Sequence, residues 1–263
     1  AAAYKKRAIN DGRSRRKIIK DNLEEIDELG LRDDDPQSVI DALEEIAESG
    51  VKPLRVLAKA LLRNKDFIRS IKFVIDGTPA DFSGLYYVDG NGNRTVLINT
   101  NRSGARGVAD TLIHEYLHAF TNDILNAPPE SRTPAQNEAI ANLEEILRLA
   151  KEKARKSGKA NLEYGTSNLD EFLTHILTDP QFQRFLNGII PAKGKLNLFQ
   201  KAIDALAKLI PFVKRKELKI ALGQALDLTQ RADIPQPSTK SGFASQVAGS
   251  IHRSQTELHN ISK

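Results

Sequence analysis

The chain is built mainly of stretches in which hydrophobic residues follow helical spacing, interrupted by one region in which they do not. In the N-terminal quarter, apolar side chains recur every three or four positions among charged ones, a spacing typical of amphipathic helices. Asp35 followed by Pro36 is a helix start, and Gly50 is a helix stop. The helices predicted here cover 8–29, 36–49 and 53–63.

Between residues 71 and 100 the hydrophobic residues form short β-branched and aromatic runs separated by Gly, Asp and Asn. The segment 89–93, Asp-Gly-Asn-Gly-Asn, is a turn signal that predicts a hairpin between the last two runs. We expect the strand at 95–99 to pair with an extended peptide as an added strand. The predicted strands cover 73–75, 85–88 and 95–98.

Helical spacing returns after the strands and fills most of the C-terminal half. Thr133 and Pro134 start the longest helix, and Gly158 stops it. From residue 233 the chain is rich in Pro, Ser, Lys and Gln, the composition of an extended tail that we expect to dock on its own domain or on a partner. The predicted helices cover 106–125, 134–157, 170–177, 181–186, 196–209 and 213–226.

These elements predict an α+β fold, in which a small twisted sheet packs on the helix at 106–125 and the C-terminal part is mainly helical. We expect a helical N-terminal arm at 1–65, a central domain at 66–232 and the tail at 233–263. With 263 residues, 40% of them hydrophobic, the chain can bury a core. No apolar run approaches the roughly 20 residues that cross a bilayer, so no membrane partner is expected.

Composition limits the available chemistry. The chain contains no cysteine, so any metal must be bound by His, Asp or Glu. Its formal net charge is +5, with basic residues grouped near the N-terminus, at 151–159 and at 214–216. Few aromatic residues lie among them, which favours solvated helix faces over a nucleic-acid site. The chain has no methionine and begins Ala-Ala-Ala-Tyr, which indicates a processed product or an excised piece.

His114-Glu115-Tyr116-Leu117-His118 is the segment with the most specific chemistry. On a helix the two histidines lie one turn apart on one face, where both imidazoles can bind one Zn²⁺. The Glu115 carboxylate between them stays available to take a proton from the metal's water. This spacing is the H-E-x-x-H signature of zinc metallopeptidases.

A catalytic zinc site needs a third protein ligand. The extended metzincin pattern requires a histidine and a glycine where this chain has Ile124 and Thr121, so that class is excluded. Asp123 lies on the motif helix but off the histidine face, which makes it the weaker candidate. Glu171, on a separate predicted helix, would complete a His₂Glu set of the gluzincin type.

The motif and a second segment together resemble a known family. Residues 164–172, Tyr-Gly-Thr-Ser-Asn-Leu-Asp-Glu-Phe, give the pattern Y-G-x-x-N-x-x-E-F after the H-E-x-x-H motif. This combination is similar to the anthrax lethal factor-type metallopeptidase domain and to the zincin domains of large phage polyvalent proteins. The likeness extends over about 71–186 and includes Asp-Pro-Gln-Phe-Gln at 179–183.

The resemblance implies a zincin-like fold and assigns roles to five residues. His114, His118 and Glu171 would bind Zn²⁺. Glu115 would be the general base, and the Tyr164 phenol would stabilise the oxyanion.

One position departs from the family pattern. Four residues after the ligand glutamate the family usually has another glutamate, whereas this chain has His175, on the same helix face as Glu171. We expect His175 to lie behind the ligands and to orient Glu171 or a histidine ligand. As the alternative, it would become a fourth ligand that closes the site and makes the zinc structural.

The resulting hypothesis is a zinc endopeptidase in which Glu115 assists the attack of zinc-bound water on a peptide bond of a peptide or protein substrate. We expect a phage virion or polyvalent-protein component or a secreted effector, with a soluble, virion-associated or secreted location. The alternative is a non-catalytic virion structural or assembly protein. It would retain a zincin scaffold and use the basic helices and the tail to bind protein or nucleic acid.

Overall fold

The structure, a computed structural model, describes residues 15–50, 52–80, 82–101, 107–191, 196–209 and Leu218. Within these ranges the fold is mostly helical with one three-stranded mixed sheet, in agreement with the predicted α+β class. The chain divides between Tyr116 and Leu117 into two compact units, and each is described by itself. The predicted boundaries near residues 65 and 232 stay predictions.

In the first unit, four α-helices precede the sheet within the described residues. Helix α2 begins as predicted, because the Asp35 side chain accepts hydrogen bonds from the backbone amides of Gln37 and Ser38. Helix α4 was missed because five residues are too few to show a helical period. The helices are α1 (Arg15–Glu28), α2 (Pro36–Ser49), α3 (Lys52–Leu61) and α4 (Lys65–Arg69), with a 3₁₀ turn at Leu62–Asn64.

The sheet contains the three predicted strands, β1 (Lys72–Asp76), β2 (Gly84–Val88) and β3 (Arg94–Asn99), in the order β1-β3-β2. Strands β2 and β3 form the predicted antiparallel hairpin, and β1 runs parallel to β3. Strand β3 is therefore central. The expectation that it accepts a peptide as an added strand is wrong, because neighbouring strands already occupy both of its edges.

The two outer edges of the sheet differ. Along β1, the backbone amide of Asp34 donates to the Phe73 carbonyl (2.9 Å), and the Asp33 side chain accepts from the Ile75 amide (2.8 Å). The loop before α2 thus covers that edge. The outer edge of β2 has no strand partner among the described residues.

Helix α5 (Val108–Asn126) follows the sheet and carries the H-E-x-x-H motif, as predicted. Its first turn is capped by α1, since the Glu25 carboxylate accepts hydrogen bonds from the amides of Val108 and Ala109, both at 2.9 Å. The N-terminal segment therefore fixes the start of the motif helix, an arrangement that helical periodicity does not reveal.

In the second unit, the described residues contain the rest of α5 and five further α-helices. Helix α10 packs on α6, which also contacts α7 and α8, around buried side chains such as Leu143, Phe172 and Leu206. Thr133 and Gln136 form a capping box at the start of α6, and Gly158 ends it with φ 64°. The helices are α6 (Pro134–Ser157), α7 (Ala160–Tyr164), α8 (Leu169–Thr178), α9 (Pro180–Asn187) and α10 (Leu198–Leu209).

Some predictions concern residues that the structure does not describe. They are the start of the first helix at 8–14, the helix at 213–226 apart from Leu218, and the tail at 233–263. Within the described part of the chain, none of the helices is both long and apolar enough to cross a membrane.

Candidate metal centre

Helix α5 carries both motif histidines. Its apolar face is anchored by buried Leu112 and Tyr116. Glu115 is 6% exposed and His118 7% exposed, so neither side chain is a solvated surface group. The helix therefore presents the motif in the one-turn spacing that a shared metal requires.

Helix α8 positions the third predicted ligand. The Asn168 side chain caps this helix by accepting a hydrogen bond from the backbone amide of Glu171, at 2.9 Å. Phe172 and Ile176, both buried, fix the opposite face. Asn168 is thus the N-cap of α8, three residues before Glu171, and this spacing sets where the carboxylate lies.

Candidate ligand atoms of His114, His118 and Glu171 all lie within 4.8 Å of one another. The His118 Nε2 atom is 3.9 Å from Glu171 Oε2. This group includes neither Asp123 nor His175. The structure therefore brings together two imidazoles and a carboxylate that could hold a metal ion, and these are the three residues that the sequence predicted as ligands.

Asp170 orients His118, a role that sequence reasoning missed. Its Oδ2 atom lies 2.7 Å from His118 Nδ1, and its Oδ1 accepts a hydrogen bond from the Thr121 hydroxyl at 2.6 Å. Because an ionised carboxylate only accepts, we assign the proton to Nδ1, which leaves the Nε2 lone pair for a metal. The sequence signal for this role is an aspartate directly before the predicted ligand glutamate. Which residue the aspartate contacts depends on how α8 packs against α5, so the sequence alone does not identify that partner.

The two oxygens of Glu171 have different environments. Oε1 accepts a hydrogen bond from the Tyr164 hydroxyl at 2.8 Å, whereas Oε2 is buried and has no hydrogen-bond partner among the described residues. A buried carboxylate oxygen without a partner is costly, and a cation would satisfy it. The residues therefore fit a bound metal ion. Tyr164, at the end of α7, is 44% exposed.

The motif glutamate lies against strand β2 at Gly84, a second residue that the sequence did not single out. A Cβ atom at this position would lie 2.6 Å from Glu115 Cγ and 2.7 Å from its Oε1. It would also lie 2.6 Å from Thr111 Cγ2. Only glycine allows this approach of strand to helix without displacement.

His175 lies beside Glu171, as the sequence indicated. Its Nε2 atom is 3.7 Å from Glu171 Oε2, and its Nδ1 is 3.2 Å from Asp179 Oδ2. The ring is 5% exposed and packs edge-to-face on Tyr164, with 5.7 Å between ring centroids. His175 therefore contacts both residues that define the third ligand position.

Comparisons with family models, with curated proteins and with solved structures give no match. The resemblance to lethal factor-type and phage zincin domains stays a prediction from the motif residues. What supports a metal centre is the geometry of His114, His118 and Glu171.

Proposed function

We propose that this protein is a zinc-dependent endopeptidase of the gluzincin type, with a zincin-like fold. The observation that carries this proposal is the convergence of ligand atoms from His114, His118 and Glu171, together with a buried Glu171 oxygen that has no hydrogen-bond partner in the part of the chain that the structure describes. His₂Glu is an established catalytic zinc set, and it leaves a fourth position for water or substrate.

Zinc bound by these residues supplies Lewis-acid activation of water and of a substrate carbonyl. Glu115 is the general base, because its carboxylate lies on the same helix between the two histidines and does not belong to the ligand group. It accepts a proton from the attacking water and returns it to the leaving amine.

Tyr164 is the proposed oxyanion donor. Its hydroxyl is bonded to Glu171 Oε1, which places it beside the third ligand without being a ligand itself. The phenol is exposed enough to exchange this bond for one to a developing negative charge on the substrate. A donor of this kind is worth about 3 kcal/mol in transition-state stabilisation in other enzymes.

A peptide substrate is favoured by the outer edge of β2, which has no strand partner among the described residues. The Asn99 amide donates a hydrogen bond to the Ser83 carbonyl, and the Asp89 amide donates one to the Asn93 carbonyl. Hydrogen-bonded and non-hydrogen-bonded pairs alternate along an antiparallel ladder, so the backbone groups of Gly84 and Tyr86 face away from β3. The Gly84 backbone groups can pair with an extended chain. Gly84 also contacts Glu115, so a chain on this edge would pass the general base.

The proposal is tested with the full chain loaded with Zn²⁺ and incubated with a peptide library, with cleavage followed by mass spectrometry. Cleavage should stop on chelation and return with Zn²⁺. Glu115→Gln should reduce kcat by at least about 100-fold, the usual contribution of a general base, while still binding one zinc. Glu130→Gln, at an exposed glutamate, is the matched control.

Wild-type rates in Glu115→Gln would show that the general-base assignment is wrong. A wild-type protein that binds zinc but cleaves no peptide or protein would favour the non-catalytic assembly role. The phage or secreted origin stays a prediction that this experiment does not address.

A further inference from the structure

The two outer edges of the sheet differ in how they are protected. The edge of β1 is covered by Asp33 and Asp34, which bond to backbone groups of that strand. Lysine, proline or a bulge are other usual protections of an edge strand. Strand β2 has none of these three, because its sequence is Gly-Leu-Tyr-Tyr-Val and its five residues pair with β3 in unbroken register. Within the described residues no strand pairs with its outer side, so a further strand can pair there.

Strand β2 also exposes apolar side chains. Leu85 is 40% exposed, Tyr87 42% and Val88 47%. A group of neighbouring exposed apolar side chains commonly marks an interaction site. An exposed apolar edge strand is in addition a site of unwanted self-association unless a partner covers it. The composition of β2 therefore favours the binding of an extended chain.

Leu85 lies at the outer end of an apolar row that crosses the sheet. Leu97 of β3 pairs with Leu85 on one side and with Val74 of β1 on the other. Directly paired residues place their side chains on the same face of a sheet, where they contact one another. An added strand would place one side chain beside Leu85 and so extend this row. An aliphatic side chain at that position of the bound peptide continues the apolar contact, whereas a charged side chain does not.

The neighbouring row on this face is more polar. Tyr87 pairs with Thr95, which pairs with the exposed Lys72 on β1. Because Leu85 and Tyr87 are two positions apart, the bound side chains opposite them also point to this one face. The two rows therefore set different demands on the peptide, and the aliphatic requirement falls on the position opposite Leu85.

The position of Leu85 relative to Glu115 favours the substrate as the bound chain. Gly84, the residue before Leu85, packs against Glu115, and a Cβ atom on this glycine would lie 2.6 Å from Glu115 Cγ. Successive residues of a strand are about 3.3 Å apart, so a chain that pairs with Gly84 and Leu85 passes the proposed general base within about two residues. A peptide held there is in reach of the proposed chemistry.

We propose that Leu85 is a specificity-determining residue, which selects peptides with a branched aliphatic side chain (Val, Ile or Leu) within about two residues of the cleaved bond. This inference rests on the proposed function. It deepens that function by stating which peptides the site prefers and which side chain makes the selection.

The test gives position 85 a new preference, so that misfolding cannot imitate the expected result. The full chain loaded with Zn²⁺ is incubated with a peptide library, and the residues around each cleaved bond are identified by mass spectrometry. The wild type should favour Val, Ile and Leu at one position within about two residues of that bond. Leu85→Lys should favour Asp and Glu at the same position, because opposite charges pair across neighbouring strands.

Val88→Lys is the matched control. It adds the same charge to another exposed apolar residue of β2, whose side chain lies on the other face of the sheet. Its preference at the position selected by Leu85 should match that of the wild type. Thermal unfolding of each variant reports on folding.

Peptide binding gives a second readout that does not depend on cleavage. Glu115→Gln loaded with Zn²⁺ is titrated with a fluorescently labelled peptide taken from the wild-type cleavage profile, and fluorescence anisotropy gives the dissociation constant. Adding Leu85→Asn should raise this constant by about two- to fivefold, the range of cross-strand side-chain pairs. Adding Val88→Asn should leave it unchanged.

A wild type that cleaves peptides without an aliphatic preference would overturn the inference and leave the proposed function intact. A wild-type profile in Leu85→Lys, or equal shifts in Leu85→Lys and Val88→Lys, would also overturn it. A wild-type dimer that Leu85→Lys separates, with an unchanged cleavage profile, would assign the edge to a second copy of the chain instead. A chain that cleaves no peptide would overturn the proposed function itself, and this inference with it.

Discussion

His118 Nδ1 lies 2.7 Å from Asp170 Oδ2, so the imidazole cannot turn without breaking a hydrogen bond to a charged group. Asp170→Asn keeps the shape of the side chain but removes the charge. We expect the Zn²⁺ dissociation constant to rise by about 10- to 100-fold, because such partners fix the tautomer and raise ligand basicity. Chelator competition measures the change.

Asp123→Asn provides the control for that prediction, since it is the same substitution on helix α5 at a residue outside the ligand group. Its zinc affinity should match that of the wild type. Equal losses in both variants would mean that Asp170 has no specific role, and would return Asp123 to consideration as a ligand.

Gly84→Ala should impair catalysis more than metal binding. The added Cβ would overlap Glu115 and Thr111, which forces strand and helix apart at a cost of about 1 to 3 kcal/mol. Because Glu115 is the proposed base and not a proposed ligand, we expect kcat to fall while zinc affinity holds.

Gly90→Ala, in the hairpin turn, is the comparison, because a Cβ there meets nothing within 4 Å. Steady-state kinetics and chelator competition on both variants separate the two effects. A Gly84→Ala variant with unchanged kcat would show that the close approach of β2 to Glu115 does not affect catalysis.

Glu25→Gln should destabilise the start of the motif helix. The carboxylate accepts two backbone hydrogen bonds at the positive end of α5, and an amide offers one acceptor and no charge. A loss of about 1 kcal/mol in the free energy of unfolding is expected. Urea denaturation measures it. Glu24→Gln, which loses only an exposed ion pair to Lys20, should change stability much less.

Tyr116→Phe should leave the protein as stable as the wild type or more stable. The phenol is fully buried, burial raises its pKa, and its hydroxyl has no hydrogen-bond partner among the described residues. Removing an unsatisfied buried hydroxyl gains up to about 1 kcal/mol. A destabilisation of that size in urea denaturation would instead reveal a bonding partner. Tyr87→Phe, at an exposed tyrosine, is the neutral reference.

Sequence reasoning located the elements whose signals are local. The starts of α2 and α6 follow from Asp35-Pro36 and Thr133-Pro134, and the hairpin follows from its turn residues. These signals act within one turn of backbone, so they can be recognised without knowing any distant contact. The same applies to the motif histidines, whose relative position is set by the helix alone.

What depends on tertiary packing could not be predicted in this way. The central place of β3 results from a parallel pairing with β1, which no turn between them specifies. Asp170 faces His118 only because α8 lies beside α5 in the second unit. Gly84 and Gly165 have no local sequence signal, because the side chains that pack against them, and so require glycine, come from other parts of the chain.

Asn168 both begins helix α8 and, through the Glu171 amide, determines where the ligand carboxylate lies. Adding or deleting one residue between them would rotate Glu171 by about 100° around the helix axis. The segment 168–171 should therefore tolerate side-chain changes at Leu169 far better than any change in its length.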